Sequence, residues 1–199
     1  PMVAQDAVAF YMLSELVRKD VKVILSGQGA DEGFAGYFWY NKINLEKNDY
    51  ANFLKHYIDR SEVELSEFLN IKFSSNFTNL MVKNKFRDIN AETLLGNVLN
   101  FDITTLVVDD PVKRVDNMTM AWGLEARVPF LDHKLIEASI KIDPNIHLKR
   151  NGKNILKIIS DKLLPKDVIT RKKGYFPMPA LKFIRGEYYD FVYDILSSS

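Results

Sequence analysis

The sequence predicts a mostly helical chain that contains one short β-strand. Apolar residues recur at helical spacing along most of the chain, as in the segment 50–58. Helix-capping signals precede two of these segments, and one of them, Ser61 with Glu64, forms a typical capping box. A single β-branched run, at 21–25, ends at Ser26-Gly27 and predicts a buried strand.

The helices follow one another along nearly the whole chain. Helical spacing predicts them within 5–19, 50–58, 61–69, 94–99, 115–122, 132–140, 155–163 and 181–196. Asp132 is a predicted N-cap, and Pro144 and Pro165 end the helices before them. The polar segments 41–48 and 83–90 are predicted surface connections. Because one strand cannot form a sheet, the strand is expected to need partners that the chain does not contain.

Composition predicts an ordinary soluble globular chain of one or two domains. The chain has 199 residues, 47% of them apolar, and 27 basic residues balance 26 acidic ones. A net charge of +1 gives no electrostatic reason to expect a nucleic-acid or membrane-surface partner. With no cysteine, disulfides, a thiol nucleophile and thiolate zinc sites are excluded from this chain.

The start of the chain shows no targeting signal. No basic segment followed by an apolar run opens it, and no stretch approaches the roughly 18 apolar residues of a membrane span. The three histidines lie far apart and lack metal-ligand spacing. Since the first residue is Pro1, we expect an excised piece of a longer polypeptide.

The segment 21–40 holds the most informative motif, SGQGADE at 26–32. Gly27 and Gly29 follow the predicted strand and allow a ligand to approach the backbone closely. The N-terminus of a helix predicted after them favours an anion such as phosphate. Asp31 would repel bare phosphate but suits a Mg²⁺ ion that bridges phosphates. Alternatively, Asp31 is only the N-cap of a strand-turn-helix unit.

Two further segments combine charge with structure-defining residues. Segment 108–131 interleaves acidic and basic residues with large apolar ones, which indicates semi-buried charges. Those charges form either part of a site or a structural ion-pair network. In segment 169–181, Lys173 and two preceding basic residues stand before Gly174 and a proline-rich turn. They suit either a phosphate group or a solvated turn at a helix end.

Together the three segments resemble the synthetase domain of the glutamine-dependent asparagine synthetases. The resemblance covers nearly the whole chain in collinear order. The family's SGxGxDE and GGY-like elements appear at 26–32 and at Gly36-Tyr37. Its R-x-D…M…E-x-RVPFLD block appears as Arg114, Asp116, Met118, Glu125 and 127–132. Its lysine before a GF-like turn appears as Lys173.

This resemblance implies both a fold and a domain assignment. Residues 1–199 would be a partial asparagine synthetase-type domain. They would form the carboxy-terminal portion of an α/β adenine-nucleotide α-hydrolase-like synthetase domain, which is a pyrophosphate-loop ATPase. The family's upstream SGGxDS loop and its amino-terminal glutaminase domain with a cysteine nucleophile do not occur in this sequence. We therefore expect that the isolated chain neither hydrolyses glutamine nor makes product.

The resemblance also implies a reaction, its cofactors and its residues. ATP, with Mg²⁺, would adenylate a side-chain carboxylate and release pyrophosphate. Ammonia from a glutaminase domain of the same longer chain would then attack the acyl-adenylate to give an amide and AMP. The implied catalytic residues are Gln28, Lys173 and Arg114. The implied cofactor-binding residues are Ser26, Gly27, Gly29, Glu32 and Asp31, the last also as the Mg²⁺ ligand. The implied site-shaping residues are Asp116, Glu125 and Arg127.

One departure from the family concerns the acceptor. Position 28 is usually acidic in the family, and Gln28 cannot act as a base near neutral pH. Strict aspartate specificity is therefore in question. The residues of the three segments resemble those of a branch of the family that forms N-acetylglutaminylglutamine amide, a bacterial osmolyte. Another relative, such as a β-lactam-forming synthetase, and a non-catalytic helical interaction module are the rival interpretations.

The resemblance also implies that the longer protein is a ligase and that it lies in the cytoplasm. Its small-molecule partners would be ATP, ammonia and aspartate or another carboxylate acceptor. Neither a nucleic-acid nor a membrane partner is expected, and the unpaired edges of the strand at 21–25 would allow the chain to self-associate as a homo-oligomer.

Overall fold

The fold is described from a computed structural model. The structure describes residues 6–43, 50–58, 60–70, 72, 76–89, 91–174, 185–186, 188 and 189–198. The predicted dominance of helix is confirmed. The helices are α1 (Asp6–Val17), α2 (Ala30–Gly33), α3 (Tyr50–Tyr57), α4 (Glu62–Leu69), α5 (Phe77–Asp88), α6 (Leu94–Phe101), α7 (Lys113–Met120), α8 (His133–Ser139), α9 (Pro144–Leu148), α10 (Asn154–Ser160), α11 (Lys166–Thr170) and α12 (Tyr189–Ser197).

Local capping signals determine where several helices begin. The Ser61 hydroxyl accepts a hydrogen bond from the Glu64 amide, and the Glu64 carboxylate accepts one from the Ser61 amide. Asp132 caps α8 by accepting hydrogen bonds from the amides of Lys134 and Leu135. Each cap satisfies amide groups that have no partner within the first turn of a helix. The predicted capping box and the predicted Asp132 cap are both confirmed.

The apolar core lies around α6, which is buried along most of its length. Aromatic rings from α3, α5 and α6 meet there, and the Phe53 ring stacks against Phe86 and lies edge-on to Phe101. Tyr40, in the 3₁₀ turn Phe38–Lys42, is fully buried against the same cluster. This core anchors the segment 34–43, which carries part of the candidate site.

Two π-helical stretches, Asp102–Leu106 and Val108–Val112, continue α6 into α7. The wider turn accommodates Pro111, which lacks an amide hydrogen and would break a regular α-helix. The same stretch places the side chain of Asp102 in the core with no exposed surface, where its Oδ2 accepts a 2.5 Å hydrogen bond from the Tyr40 hydroxyl. A buried acidic side chain therefore lies beside the aromatic cluster.

The sheet differs from the prediction of one buried strand. Two strands, β1 (Val23–Leu25) and β2 (Glu125–Arg127), pair in parallel with Leu25 opposite Arg127. The second strand was missed because Glu125 and Arg127 are charged, and alternation of charged residues is a weak strand signal over three positions. β1 is also largely exposed, with 74% of Leu25 accessible. The prediction that the strand is buried was wrong in this structure.

The structure differs from the prediction at 83–90 and describes only part of the predicted helix 181–196. The segment 83–90 was expected to be a connection, but its residues up to Asp88 belong to α5. The segment is polar because most of α5 faces solvent, and polarity alone does not distinguish an exposed helix from a loop. The predicted helix 181–196 is seen from Tyr189 onward, residues 185, 186 and 188 lie in turns, and residues 181–184 and 187 lie outside the described part of the chain. Among the helices that the structure describes, none is long and apolar enough to span a bilayer.

Candidate functional site

The motifs at 26–32 and 127–132 meet at the carboxyl ends of the paired strands. The Ser26 amide, directly after β1, donates a 2.8 Å hydrogen bond to the carbonyl of Arg127, the last residue of β2. The SGQGADE segment and the RVPFLD segment thus leave the sheet side by side. Ligands of parallel α/β sheets commonly bind beyond this edge.

Gly29 shows why a glycine follows the strand. Its φ is +90°, a left-handed conformation that favours glycine, and a Cβ there would collide with the Leu131 side chain. Gly29 thereby lets the two motifs pack directly against each other. The helix that follows, α2, has only four residues, so the predicted anion-binding helix N-terminus is reduced to a single turn.

Asp31 on α2 joins two lysines from distant parts of the chain. Its Oδ1 lies 2.8 Å from Lys173 Nζ, and its Oδ2 lies 2.9 Å from Lys153 Nζ. Only 19% of the Asp31 side chain is exposed, whereas 52% of the Lys173 side chain is. The structure thus brings together two residues that the sequence assigned to the site, Asp31 and Lys173, and adds Lys153.

Lys153 was missed because no local pattern marks it. A strained loop carries it: Arg150, Asn151 and Lys153 all have φ between +53° and +60°, and Gly152 has a φ of +85°. The Lys153 amide donates a 2.9 Å hydrogen bond to the Phe34 carbonyl, which ties this loop to the segment after α2. The Asn-Gly pair before Lys153 is the only local sequence signal of a turn there.

Substitution of Gly152 in this loop is expected to destabilise the fold strongly. A Cβ at Gly152 would collide with the Ala35 carbonyl oxygen, and its backbone, at φ +85° and ψ 166°, is in a region used almost only by glycine. We expect Gly152→Ala to lower the free energy of unfolding by at least about 3 kcal/mol in urea titrations.

Two other glycines provide matched controls for that variant. Gly123 has a φ of +64° but open space at its Cβ position, so Gly123→Ala is expected to cost about 1 kcal/mol. Gly27 has open space and no left-handed φ, and Gly27→Ala is expected to stay within about 0.5 kcal/mol of the parent chain. Equal losses at Gly152 and Gly123 would show that the Ala35 contact is unimportant.

Tyr37 connects the lysine cluster to the buried Glu32. The Tyr37 hydroxyl donates a 2.6 Å hydrogen bond to Glu32 Oε1, and Glu32 is 1% exposed. Burial, together with the charge of Glu32 and this hydrogen bond, raises the pKa of the Tyr37 hydroxyl well above its ordinary range. Tyr37 therefore remains a protonated donor. Lys173 Nζ lies 4.5 Å from the centre of the Tyr37 ring.

A basic cleft of about 1100 Å³ opens beside this cluster. The basic residues that line it are Lys42, Arg150, Lys153, Lys157, Lys166, Arg171, Lys172 and Lys173. Asp161 is the acidic lining residue, and it pairs with Arg150 at 2.8 Å. Partial burial and the charges of Lys153 and Arg150 lower the pKa of Lys157. This crowding of like charges suits a polyanionic ligand.

The other predicted site residues are not part of the Asp31, Lys153 and Lys173 ion-pair cluster. Arg114 is 13% exposed and pairs with Asp6 at 3.0 Å and with Asp110 at 3.2 Å. On β2, Arg127 and Glu125 pair with each other at 2.8 Å and are more than half exposed. The exposed Asp116 lies on α7, and the half-buried Gln28 lies in the turn between β1 and α2. Their site roles stay predictions.

The arrangement around Asp31 does not match a ready-made Mg²⁺ site. Both of its carboxylate oxygens face lysine ammonium groups, which would repel a divalent cation at the same oxygens. Among the residues that the structure describes, no three Asp, Glu, His or Cys side chains form a group that could hold a metal. In the described conformation, Asp31 is a counter-ion for two lysines, and its Mg²⁺ role stays a prediction.

Comparison with known proteins identifies the family. The family model described as asparagine synthase matches residues 1–199, so this chain belongs to the asparagine synthase family. Membership implies an adenine-nucleotide α-hydrolase-like fold for the domain. The parallel pairing of β1 and β2 agrees with such a fold.

Several relatives carry the same family name. The chain is 27% identical to asparagine synthetase [glutamine-hydrolyzing] 1 of Bacillus subtilis, over 100% of this chain and 37% of the relative. It is 30% identical to asparagine synthetase [glutamine-hydrolyzing] 3 of the same organism, over 81% of this chain and 27% of the relative. The identity to the asparagine synthetase [glutamine-hydrolyzing] of Mus musculus is 28%, over 85% of this chain and 23% of the relative. The chain therefore spans between about a quarter and somewhat over a third of these relatives.

Proposed function

We propose that this chain is the carboxy-terminal part of a glutamine-dependent amidotransferase that forms an amide through an acyl-adenylate. The Lys153–Asp31–Lys173 cluster, beside a basic cleft and next to the SGQGADE motif, is the observation that carries this proposal. Two ammonium groups held close together suit a pyrophosphate group better than a single phosphate, because the charge to be neutralised is larger.

The proposed reaction has two steps. An oxygen of the acceptor carboxylate attacks the α-phosphorus of ATP, the bond to the β-phosphate oxygen breaks, and pyrophosphate leaves. Ammonia then attacks the acyl carbon, a proton is lost from nitrogen, and AMP leaves with the electrons of the acyl–oxygen bond. Charge grows on the pyrophosphate in the first step, so fixed cations near its oxygens lower the barrier.

Specific residues receive roles in that reaction. Lys173 and Lys153 would bind the departing pyrophosphate, and the backbone at Ser26 and Gly27 would approach ATP. Gln28 would border the acyl-adenylate, where its amide can donate and accept hydrogen bonds but cannot take a proton. Gly29 would act through the conformation of its loop, and Glu32 through its hydrogen bond with Tyr37. Arg114 would act as a further catalytic residue, and Asp116, Glu125 and Arg127 would shape the site.

The acceptor divides the enzymatic candidates. Aspartate stands first, because the relatives reported above are named asparagine synthetases. Gln28 supports a second candidate, in which a peptide carboxylate such as that of N-acetylglutaminylglutamine is amidated. A neutral side chain beside the acceptor lacks the charge that the family's usual acidic residue supplies, which changes the electrostatic match to the amino acid acceptor.

Pyrophosphate release by the longer enzyme tests the proposed function. With ATP and glutamine, we expect release to depend on an added acceptor, and the isolated chain is expected to make no product. Release that requires aspartate supports asparagine formation, whereas release that requires only the acylated dipeptide supports the osmolyte. No acceptor-dependent release from the longer polypeptide would contradict the proposal and favour a non-catalytic helical interaction module.

A further inference from the structure

Tyr37 contacts Lys173 through the face of an aromatic ring. Lys173 Nζ lies 4.5 Å from the ring centre, within the distance at which an ammonium ion is attracted to a tyrosine ring. The Tyr37 ring also stacks on Trp39, with ring centres 4.2 Å apart and an interplanar angle of 13°. Because Trp39 packs against the apolar core, the Tyr37 ring is held in a defined place.

Glu32 holds the other end of Tyr37. The 2.6 Å hydrogen bond from the Tyr37 hydroxyl ends on a carboxylate that is almost completely buried. A hydrogen bond to a carboxylate is short, so it fixes the position of the hydroxyl end of the ring, while the stacking on Trp39 fixes the ring plane. Glu32, Tyr37 and Lys173 thus form a continuous path from the core to the cleft.

This path holds the flexible side chain of Lys173 in place. A lysine has a long flexible side chain, and fixing it costs conformational entropy. Asp31 fixes it by charge, but an anionic ligand competes with that carboxylate for the same ammonium group. The contact with the ring does not compete in this way. The ring attracts the ammonium group through its negative face, so the ammonium hydrogens that point away from the ring can still bind an anion.

We propose that Tyr37, fixed by Glu32, is a positioning residue that keeps the Lys173 ammonium at the cleft when Asp31 releases it to an anion. The part of this proposal that concerns pyrophosphate rests on the proposed function. The part that concerns the place of Lys173 does not, since it follows from the contacts of the chain alone.

Lysine-directed NMR tests the position of Lys173 directly. Reductive methylation with ¹³C-formaldehyde labels the lysines of the 199-residue chain, and Lys173→Arg assigns the Lys173 resonance. We expect that resonance upfield of those of exposed lysines without a ring contact, because of the Tyr37 ring current. Tyr37→Phe is expected to keep part of the shift, since the ring remains and the Glu32 hydrogen bond is lost, whereas Tyr37→Leu is expected to abolish it.

A second aromatic–lysine pair supplies the matched control. Lys42 Nζ lies 4.9 Å from the centre of the Phe38 ring, so Phe38→Leu is expected to move the Lys42 resonance and leave that of Lys173 unchanged. A Lys173 resonance that coincides with those of exposed lysines in the unmutated chain would overturn the proposal without any variant. This observation also decides the matter if Tyr37→Leu does not fold.

Titration with inorganic pyrophosphate tests the consequence for the site. We expect Tyr37→Leu to weaken binding about tenfold, the size of a cation–π contact that is partly shielded from water. In a Lys173→Ala background the same change is expected to have no further effect. An undiminished effect there would show a merely structural role and overturn the proposal. A ring-current shift of the Lys173 resonance in the unmutated chain, with pyrophosphate binding insensitive to Lys173→Ala, would retain the positioning role and contradict the proposed function instead.

Discussion

Lys173→Ala is expected to weaken pyrophosphate binding by this chain roughly 100-fold, as measured by titration calorimetry. The reason is that Lys173 contributes one of the two ammonium groups held at Asp31, and it is the more exposed of the two toward the cleft. A hydrogen bond to a charged group contributes about 1.5–3 kcal/mol, which is the basis for this magnitude. Because the Lys173 side chain is half exposed, we expect the free energy of unfolding to change by less than about 0.5 kcal/mol.

The neighbouring lysine provides a charge-matched control. Lys172 also lines the cleft, and Lys172→Ala removes the same net charge one position earlier in the chain. We expect that variant to weaken binding by less than about threefold, because only long-range attraction is lost. Equal losses in both variants would indicate unspecific attraction to a basic surface. An unchanged affinity in Lys173→Ala would show that the role given to this lysine is wrong.

Asp102→Asn is expected to remove a large part of the pH dependence of folding stability. Burial raises the pKa of the Asp102 carboxyl from 3.8 to about 7, with a further increase from the charge of Glu32, while hydrogen bonding with Tyr40 and Tyr57 opposes the increase. Between these two values the folded chain keeps a proton that the unfolded chain has released. The stability that this group contributes is therefore present at low pH and is lost as the pH rises through about 7.

The size of the effect follows from the pKa change. A shift of about three pH units corresponds to a change on the order of 4 kcal/mol in the free energy of unfolding across that window. Urea titrations from about pH 4 to about pH 8 would measure it, with the difference between parent and variant isolating Asp102 from the other carboxyl groups. In the parent chain this contribution falls as pH rises, and in Asp102→Asn it is absent.

Asp161→Asn serves as the control for the pH series. Asp161 is partly exposed and pairs with Arg150 on the surface, so its replacement is expected to change the free energy of unfolding by no more than about 1 kcal/mol. If Asp102→Asn had the same pH dependence as the parent chain, the raised pKa of Asp102 would be contradicted. An increased stability of Asp102→Asn at about pH 8 would support it, because an ionised buried carboxylate is then avoided.

Signals that depend on near neighbours in the chain were predicted well. The capping box at Ser61 and Glu64 and the Asp132 cap depend on groups two or three residues apart, so the residue types alone determine them. The strand predictions were less accurate. β1 was expected to be buried and unpaired, yet it pairs with β2 and is largely exposed, because strand pairing depends on residues about a hundred positions away.

The site was predicted only in part for the same reason. Asp31 and Lys173 were assigned to it by resemblance, but nothing in the sequence shows that their side chains touch across 142 positions. Lys153 carried no assignment, since a lysine after an Asn-Gly pair is common in other settings, and Tyr37 was noted only as part of the GGY-like element, without a role.

By itself the sequence determined the family, the dominance of helix and the starts of the helices after Ser61 and Asp132, because motifs, periodicity and caps are properties of neighbouring residues. Only the tertiary structure decided which charges meet. It placed two lysines on one carboxylate and a buried glutamate behind the tyrosine that faces Lys173. Charges interact strongly only over a few ångströms and where water is partly excluded, and such proximity is set by the packing of the whole chain.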